Sequence, residues 1–502
     1  MVSKIFTILA LLAISGICQH AGWDEHISDI HVGKHLADSV TQYGITWYFD
    51  QEYPVGTFAN GDFWVAGNPV VITRITPDFD GYDNGWEVNP VVAGKHGFQS
   101  GCYGENFDPS LVPALPYKSP TNKIVSVVKT KRADPWPRNG RPCINIAAVL
   151  TILPKLPENL GNNIFRPPYV GEEKPLYRVS DLRTDLLPSL EPVGNPPSIE
   201  YIRNRFSKLR LDHKGHQIGR SLRPQQSMED YQPKNTTDIN GGALRLMLND
   251  PIDIKMPALI QYVQAGIDKV YTLLDGQTWP SGGGHQPGHI IAASLTATLL
   301  DHDVAKTFLK QATFFHASNY LYSQPNGGKT LWGEKRAETN YWSYIVQGRS
   351  SRSIMDPYGF IDGGIPGDAY QYITSQSHKG EILAATLMPV LQNAWPERDL
   401  LLVRNYAERW VKHGVWATPD PCAPFDGNPS NLGVTYGPDP DNQGMCILDA
   451  RLSYYNSQTD FAYPEGVVGG RFPELHGTKK DAGQYRCPFV AAMWDTYYEK
   501  YR

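Results

Sequence analysis

The chain has 502 residues, with 46 Lys+Arg against 51 Asp+Glu and a formal net charge of −5. Hydrophobic residues make up 41% of it and aromatic residues 11%, including 28 Tyr and 12 Trp, which excludes a disordered chain. The mixed charge leaves no basic footprint for nucleic acid. At roughly 150 residues per domain the length implies two to four domains, each able to bury a core.

Residues 1–18 carry a single Lys at position 4 followed by an apolar run over 5–17, the pattern of a secretory signal peptide. The run is shorter than the roughly 20 residues that a membrane span needs. The expectation is a secreted protein, extracellular or periplasmic, with no membrane association after cleavage. Five cysteines follow the signal, Cys102, Cys143, Cys422, Cys446 and Cys487, and their spacing matches no zinc pattern. In an oxidising compartment they predict one or two disulfides, with Cys422–Cys446 the first choice because a Pro/Gly/Asp-rich loop separates them. Asn235-Thr236-Thr237 is the one glycosylation sequon.

Residues 19–155 read as an antiparallel β module. Runs at 46–49, 70–75, 124–128 and 146–153 are rich in β-branched, aromatic or aliphatic residues, and turn clusters such as Ala59-Asn60-Gly61-Asp62 bound them. A Pro-dense connector occupies 156–196. From 197 to 502 the apolar period becomes helical, with segments at 198–210, 238–249, 255–275, 288–300, 302–322, 378–393, 397–413 and 488–501. Loops 276–287, 323–372 and 414–490 between them are long and rich in Gly, Pro and aromatics, and loops of that length are usually functional. Together these features predict a mainly α protein: an (α/α) toroid, or barrel, as catalytic domain, preceded by the smaller β module. A plain helical bundle fits the periodicity, but it fits the loops less well.

Three stretches carry candidate chemistry. In Trp279-Pro-Ser-Gly-Gly-Gly-His285 the glycines let backbone approach a ligand closely, and His289 follows at a helix start, where the dipole favours a neutral imidazole and anionic ligands. These two histidines could face a ligand, sit in a plain connection or share a metal, the last without a third ligand nearby. The second stretch is Thr339-Asn340-Tyr341-Trp342-Ser343-Tyr344 with Arg349 and Arg352. The third runs from Gly367 through Tyr370 and Tyr372 to His378. Tyrosine can give and take a proton, and a neighbouring Arg favours the phenolate. Upstream, Phe165-Arg166-Pro167-Pro168-Tyr169 is a stiff turn whose Arg166 and Tyr169 either line a cleft or dock the two domains. Asp439, Asp441 and Asn442 form a loose acidic loop that departs from calcium-loop spacing and is read as an ordinary Asx-rich turn.

The stretches Phe165-Arg-Pro-Pro-Tyr-Val-Gly with Glu173-Lys-Pro, Trp279-Pro-Ser-Gly-Gly-Gly-His285 and Arg471-Phe-Pro-Glu-Leu-His-Gly-Thr-Lys resemble secreted polysaccharide lyases of the (α/α)-barrel type, closest to polysaccharide lyase family 38. The resemblance implies β-elimination on alginate or glucuronan, an anionic polysaccharide substrate, with no cofactor and no obligatory metal. In that chemistry one group neutralises the C6 carboxylate, a base takes the C5 proton and an acid protonates O4. Donors that stabilise the developing anion contribute on the order of 3 kcal/mol each in comparable oxyanion sites. Carried onto this chain, His285 is base or carboxylate neutraliser, Tyr341 the proton donor with Tyr372 as competitor, and Arg349 stabilises the tyrosine or binds carboxylate. Asn240, or its rival Asn235, supplies the neutralising amide. Arg166, Tyr169, Trp279, His289, Trp342 and Tyr370 are assigned to substrate binding, and His378 matches no motif of the family. Two alternatives use the same aromatic cleft: a glycoside hydrolase pairing Glu334 with Asp362 or Asp368, and a non-catalytic carbohydrate-binding protein.

Overall fold

The computed structural model describes residues 35–102, 104–135, 142–214, 219, 221–228, 234–279, 288–312, 321–323, 330–332, 369–413 and 487–502. Eight strands come first: β1 His35–Gln42, β2 Ile45–Thr57, β3 Phe63–Ala66, β4 Val71–Thr76, β5 Trp86–Val88, β6 Tyr117–Lys118, β7 Val125–Arg132 and β8 Ile144–Leu153. They form a curled half-barrel sheet in the order β5-β7-β8-β3-β2-β4-β6, with β1 added against β2. Every pairing is antiparallel except β3 with β8, which run parallel with Trp64 opposite Thr151.

The expected β runs therefore lie within or overlap strands β2, β4, β7 and β8, but the sheet is no small appendage. Side chains alternate across a strand, and in β8 the two sets enter different cores. Ile146, Ala148, Leu150 and Ile152 pack inside the half-barrel with Trp47, Trp86 and Ile72. Ala147 and Val149 join the helical core, together with Val128 of β7. Both faces of β8 are thus covered, which is why its sequence is a nearly unbroken apolar run.

The helices that follow among the described residues are α1 Ile199–Phe206, α2 Lys234–Leu246, α3 Ile252–Leu274, α4 His289–Leu299, α5 Asp303–Gln311, α6 Ala369–Leu387, α7 Glu397–His413 and α8 Pro488–Tyr501. A short antiparallel pair, β9 Leu321–Ser323 and β10 Thr330–Trp332, packs against α7. Residues 34–502 form one compact unit, in which α3 packs on α1 and α4, and α6 packs on α2, α7 and α8.

This architecture replaces the mainly α toroid. Among the described residues 41% are helical and 20% lie in strands, and the mixed sheet shares a core with the helices. Helical periodicity after residue 197 was a sound guide to elements but carried no information about closure into a ring. Two helix boundaries also differ from expectation. The segment expected over 302–322 stops at Gln311, and α6 begins at Ala369 rather than at 378. Tyr370 and Tyr372 therefore belong to the opening turns of a helix, not to a loop. Tyr, Ile and Thr are modest helix formers, so local propensity gives little sign of this early start. Cys102 and Cys143 are joined in a disulfide, with Cα atoms 5.7 Å apart; Cys422 and Cys446 lie outside the described residues. No helix among the described residues is long and apolar enough to cross a membrane.

Candidate functional site

Helix α3 is the axis of the site. It is apolar almost all round, yet Gln261, Gln264, Asp268 and Lys269 are buried on it. Buried polar groups must find partners, and these collect theirs from the sheet, the connector and the helix that follows.

Asp268 meets Arg166 of the connector in a bidentate pair, Nη1 to Oδ1 at 2.9 Å and Nη2 to Oδ2 at 2.5 Å. The same guanidinium donates through Nε to Asp62 Oδ2 at 2.6 Å, in the loop between β2 and β3. Asp62 also accepts from Gln42 at 3.0 Å and from Asn60 at 2.7 Å, while Gln264 of α3 donates to the Arg166 carbonyl at 3.0 Å. Arg166 is 2% exposed. Burial disfavours its charge, but Asp268 and Asp62 more than reverse this and hold it above the usual arginine value. Of the two roles open to Arg166, joining the β and α parts is the one its contacts match.

Tyr169 is also fully buried. Its hydroxyl accepts from the His213 backbone N–H at 3.0 Å and reaches His213 Nδ1, also at 3.0 Å. Burial, reinforced by Asp212 and Asp268, pushes the phenol well above its usual range. It therefore keeps its proton and donates it to Nδ1, which leaves the His213 proton on Nε2. Burial, with Lys214 and His96 adding, keeps that imidazole neutral, well below the ordinary histidine value.

A second focus lies one residue along α3. Lys269 Nζ donates to Asp212 Oδ2 at 2.8 Å and to His289 Nδ1 at 2.8 Å, and sits 4.7 Å from the centre of the Trp279 ring. Its three N–H groups thus meet a carboxylate, an imidazole lone pair and an aromatic face. Burial pulls this amine down to about 8 against the opposing pull of Asp212, with Arg210 lowering it further. Asp212 also pairs with Arg223 at 2.7 Å and lies 3.5 Å from Arg210 Nε. Burial alone would raise that carboxyl, but Lys269, Arg223 and Arg210 hold it well below its usual value. Trp279 is 1% exposed and stacks on His289 with ring centres 4.2 Å apart. It is packed against a histidine and offers no open face for a sugar.

A third focus joins α2, α6 and the start of α4. Ser377, His378 and Glu381 share one face of α6, because residues three and four apart are helical neighbours. Glu381 Oε1 accepts from Ser377 Oγ at 3.0 Å and from the Gly288 N–H at 2.6 Å, while Oε2 lies 3.2 Å from His378 Nδ1. Gly288 has φ +91°, a conformation that L side chains rarely adopt, and it caps α4 directly before His289. Asn240 of α2 donates through Nδ2 to the Ser377 carbonyl at 2.9 Å. Its Oδ1 is buried and accepts no hydrogen bond among the described residues. A Cβ at Gly380 would lie 2.5 Å from Asn240 Nδ2, so glycine there permits this close approach of α2 and α6.

Of the residues singled out from the sequence, Arg166, Tyr169, Trp279, His289 and Asn240 are all buried within these three foci. Tyr370 and Tyr372 are placed by their backbone in α6. His285, Tyr341, Trp342, Arg349, Arg352, Glu334, Asp362 and Asp368 lie outside the described residues, as do Asp439, Asp441 and Asn442. Sequence reasoning missed Asp62, Asp212, His213, Asp268, Lys269 and Glu381. The signal for two of them was present, since Asp268 and Lys269 interrupt the apolar faces of the expected 255–275 helix. Comparison of the chain with family models, with curated proteins and with solved structures gave no match.

Proposed function

We propose that this protein is a secreted polysaccharide lyase that cleaves a uronic-acid-containing polymer, alginate or glucuronan, by β-elimination. The observation that carries the reading is the short path of contacts from Asn240 through Ser377 and Glu381 to Gly288. Gly288 ends the glycine-rich stretch that bears His285, and Asn240 is the amide assigned to the C6 carboxylate. Asn240 and Gly288, the latter three positions beyond His285 in the sequence, are therefore linked to a common buried carboxylate. The three motif stretches that resemble family 38 lyases support the same reading.

Elimination does not depend on a toroid. It needs a donor at the C6 carboxylate to acidify the C5 proton, a base on that proton and an acid at O4. Asn240 keeps a second N–H on Nδ2 beyond the one given to Ser377. His285 is the proposed base or neutraliser, Tyr341 the proposed acid and Arg349 its electrostatic partner. Arg166, Tyr169 and Trp279 serve this reading as the frame that holds the sheet and α4 against α3.

The test is an ultraviolet assay of the purified protein on alginate, polyguluronate, polymannuronate, glucuronan and neutral glucans. A rise in absorbance on at least one uronan and none on the glucans is expected. No rise on any uronan would overturn the proposal. His285→Ala and Tyr341→Phe then test the roles, and full activity in both would reject them.

A further inference from the structure

Glu381 is 0% exposed, and both of its oxygens are engaged. A buried carboxylate is costly unless it is fully hydrogen-bonded, and here it receives a backbone N–H, a hydroxyl and an imidazole from two different helices. An ionised carboxylate can only accept, so the His378 nitrogen facing it carries the proton. In a neutral ring the second nitrogen, Nε2, then carries no proton. This is the logic by which a carboxylate sets the tautomer of a catalytic or metal-bound histidine. His289, the neighbour of Gly288, is set the opposite way: its Nδ1 accepts from Lys269, so its proton is on Nε2. The two histidines on either side of the Glu381–Gly288 bond thus have opposite polarity.

We infer that Glu381 is a positioning residue for the elimination proposed above, fixing His378 as the Nδ1–H tautomer and fixing Gly288 at the head of α4. The inference rests on the lyase reading for its kinetic consequence. The tautomer follows from an ionised Glu381 at 3.2 Å from Nδ1 and does not depend on the lyase reading. Supporting partners of this kind, when removed, typically lower activity by about 10- to 100-fold.

The experiment compares wild type with Glu381→Gln and His378→Gln on whichever uronan is cleaved, and reads the His378 tautomer by nitrogen-15 NMR of histidine-labelled full-length protein. For Glu381→Gln the expected result is a fall in kcat of about 10- to 100-fold with KM changed less than twofold. The His378 resonances should shift from the Nδ1–H pattern toward the Nε2–H pattern. A kcat within twofold of wild type in a folded Glu381→Gln protein would overturn the kinetic role. An Nε2–H tautomer for His378 in wild type would overturn the inference whole. If wild type cleaves no uronan, the lyase reading fails, and the NMR arm still decides the Glu381–His378 coupling. If Glu381→Gln does not fold, His378→Gln with unchanged kcat overturns the kinetic role in its place.

Discussion

Lys269 Nζ lies 2.8 Å from His289 Nδ1, and this one contact links the middle of the buried helix α3 to the first residue of α4. Because the ammonium can only donate, His289 is a neutral imidazole with its proton on Nε2. The lysine is a more specific cause of a neutral His289 than the dipole of the helix that it starts.

Removing this amine should be costly and pH-dependent. Lys269→Met leaves Asp212 paired with Arg223 and Arg210 but takes the donor from His289 Nδ1, and a buried group left unsatisfied costs about 1–3 kcal/mol. The folded-state amine titrates at about 8, below the ordinary value of 10.5. Between those values the unfolded chain binds more protons than the folded one, so Lys269 makes wild-type stability rise as pH increases through that window. Urea unfolding at pH 7.5 and pH 9.5 should show this contribution in wild type and its loss in the variant. An identical pH dependence in both would contradict the assignment.

Arg166→Met should destabilise by about 3–5 kcal/mol, because it abandons two buried carboxylates, Asp62 and Asp268, beside each other. Arg166→Met with Asp268→Asn should be less destabilised than the sum of the single changes, since the second removes the charge that the first left unpaired. Additive losses in chemical denaturation would show that the pair is not coupled.

Gly380→Ala places a methyl against Asn240, whose Nδ2 would be 2.5 Å away and whose Cβ 2.7 Å away. Overpacking of this kind costs about 1–3 kcal/mol. If the clash is the cause, Asn240→Gly should recover part of the loss despite its own helix penalty of about 1 kcal/mol. Thermal unfolding of the four proteins of this cycle measures the coupling.

The Cys102–Cys143 disulfide closes a segment with a sequence separation of 41 residues. Loop-closure entropy then predicts a loss of about 4 kcal/mol for the Cys102→Ser, Cys143→Ser double variant. Guanidinium unfolding with and without reductant should reproduce that difference in wild type and show none in the variant.

The strands were legible because β2, β4, β7 and β8 carry β-branched and aromatic runs between turn residues. Their sheet was not, since the parallel pairing of β3 with β8 joins residues nearly ninety positions apart. Among the site residues, Arg166 stood out through its prolines, yet its partners lie 104 and 102 residues away, and Asp62 looked like nothing more than a turn residue. Ser377, His378 and Glu381 had helical spacing in plain view. The early start of α6 was hidden by Tyr370, Tyr372 and Thr374, whose helix preference is weak.

The central claim, that the chain cleaves a uronan by elimination, is tested most directly by mass spectrometry of the products formed from a defined uronate oligosaccharide in water enriched in oxygen-18. Elimination predicts product masses that sum to that of the substrate, with one unsaturated end and no incorporated label. Products that together contain one added water, carrying the label, would show hydrolysis and contradict the account.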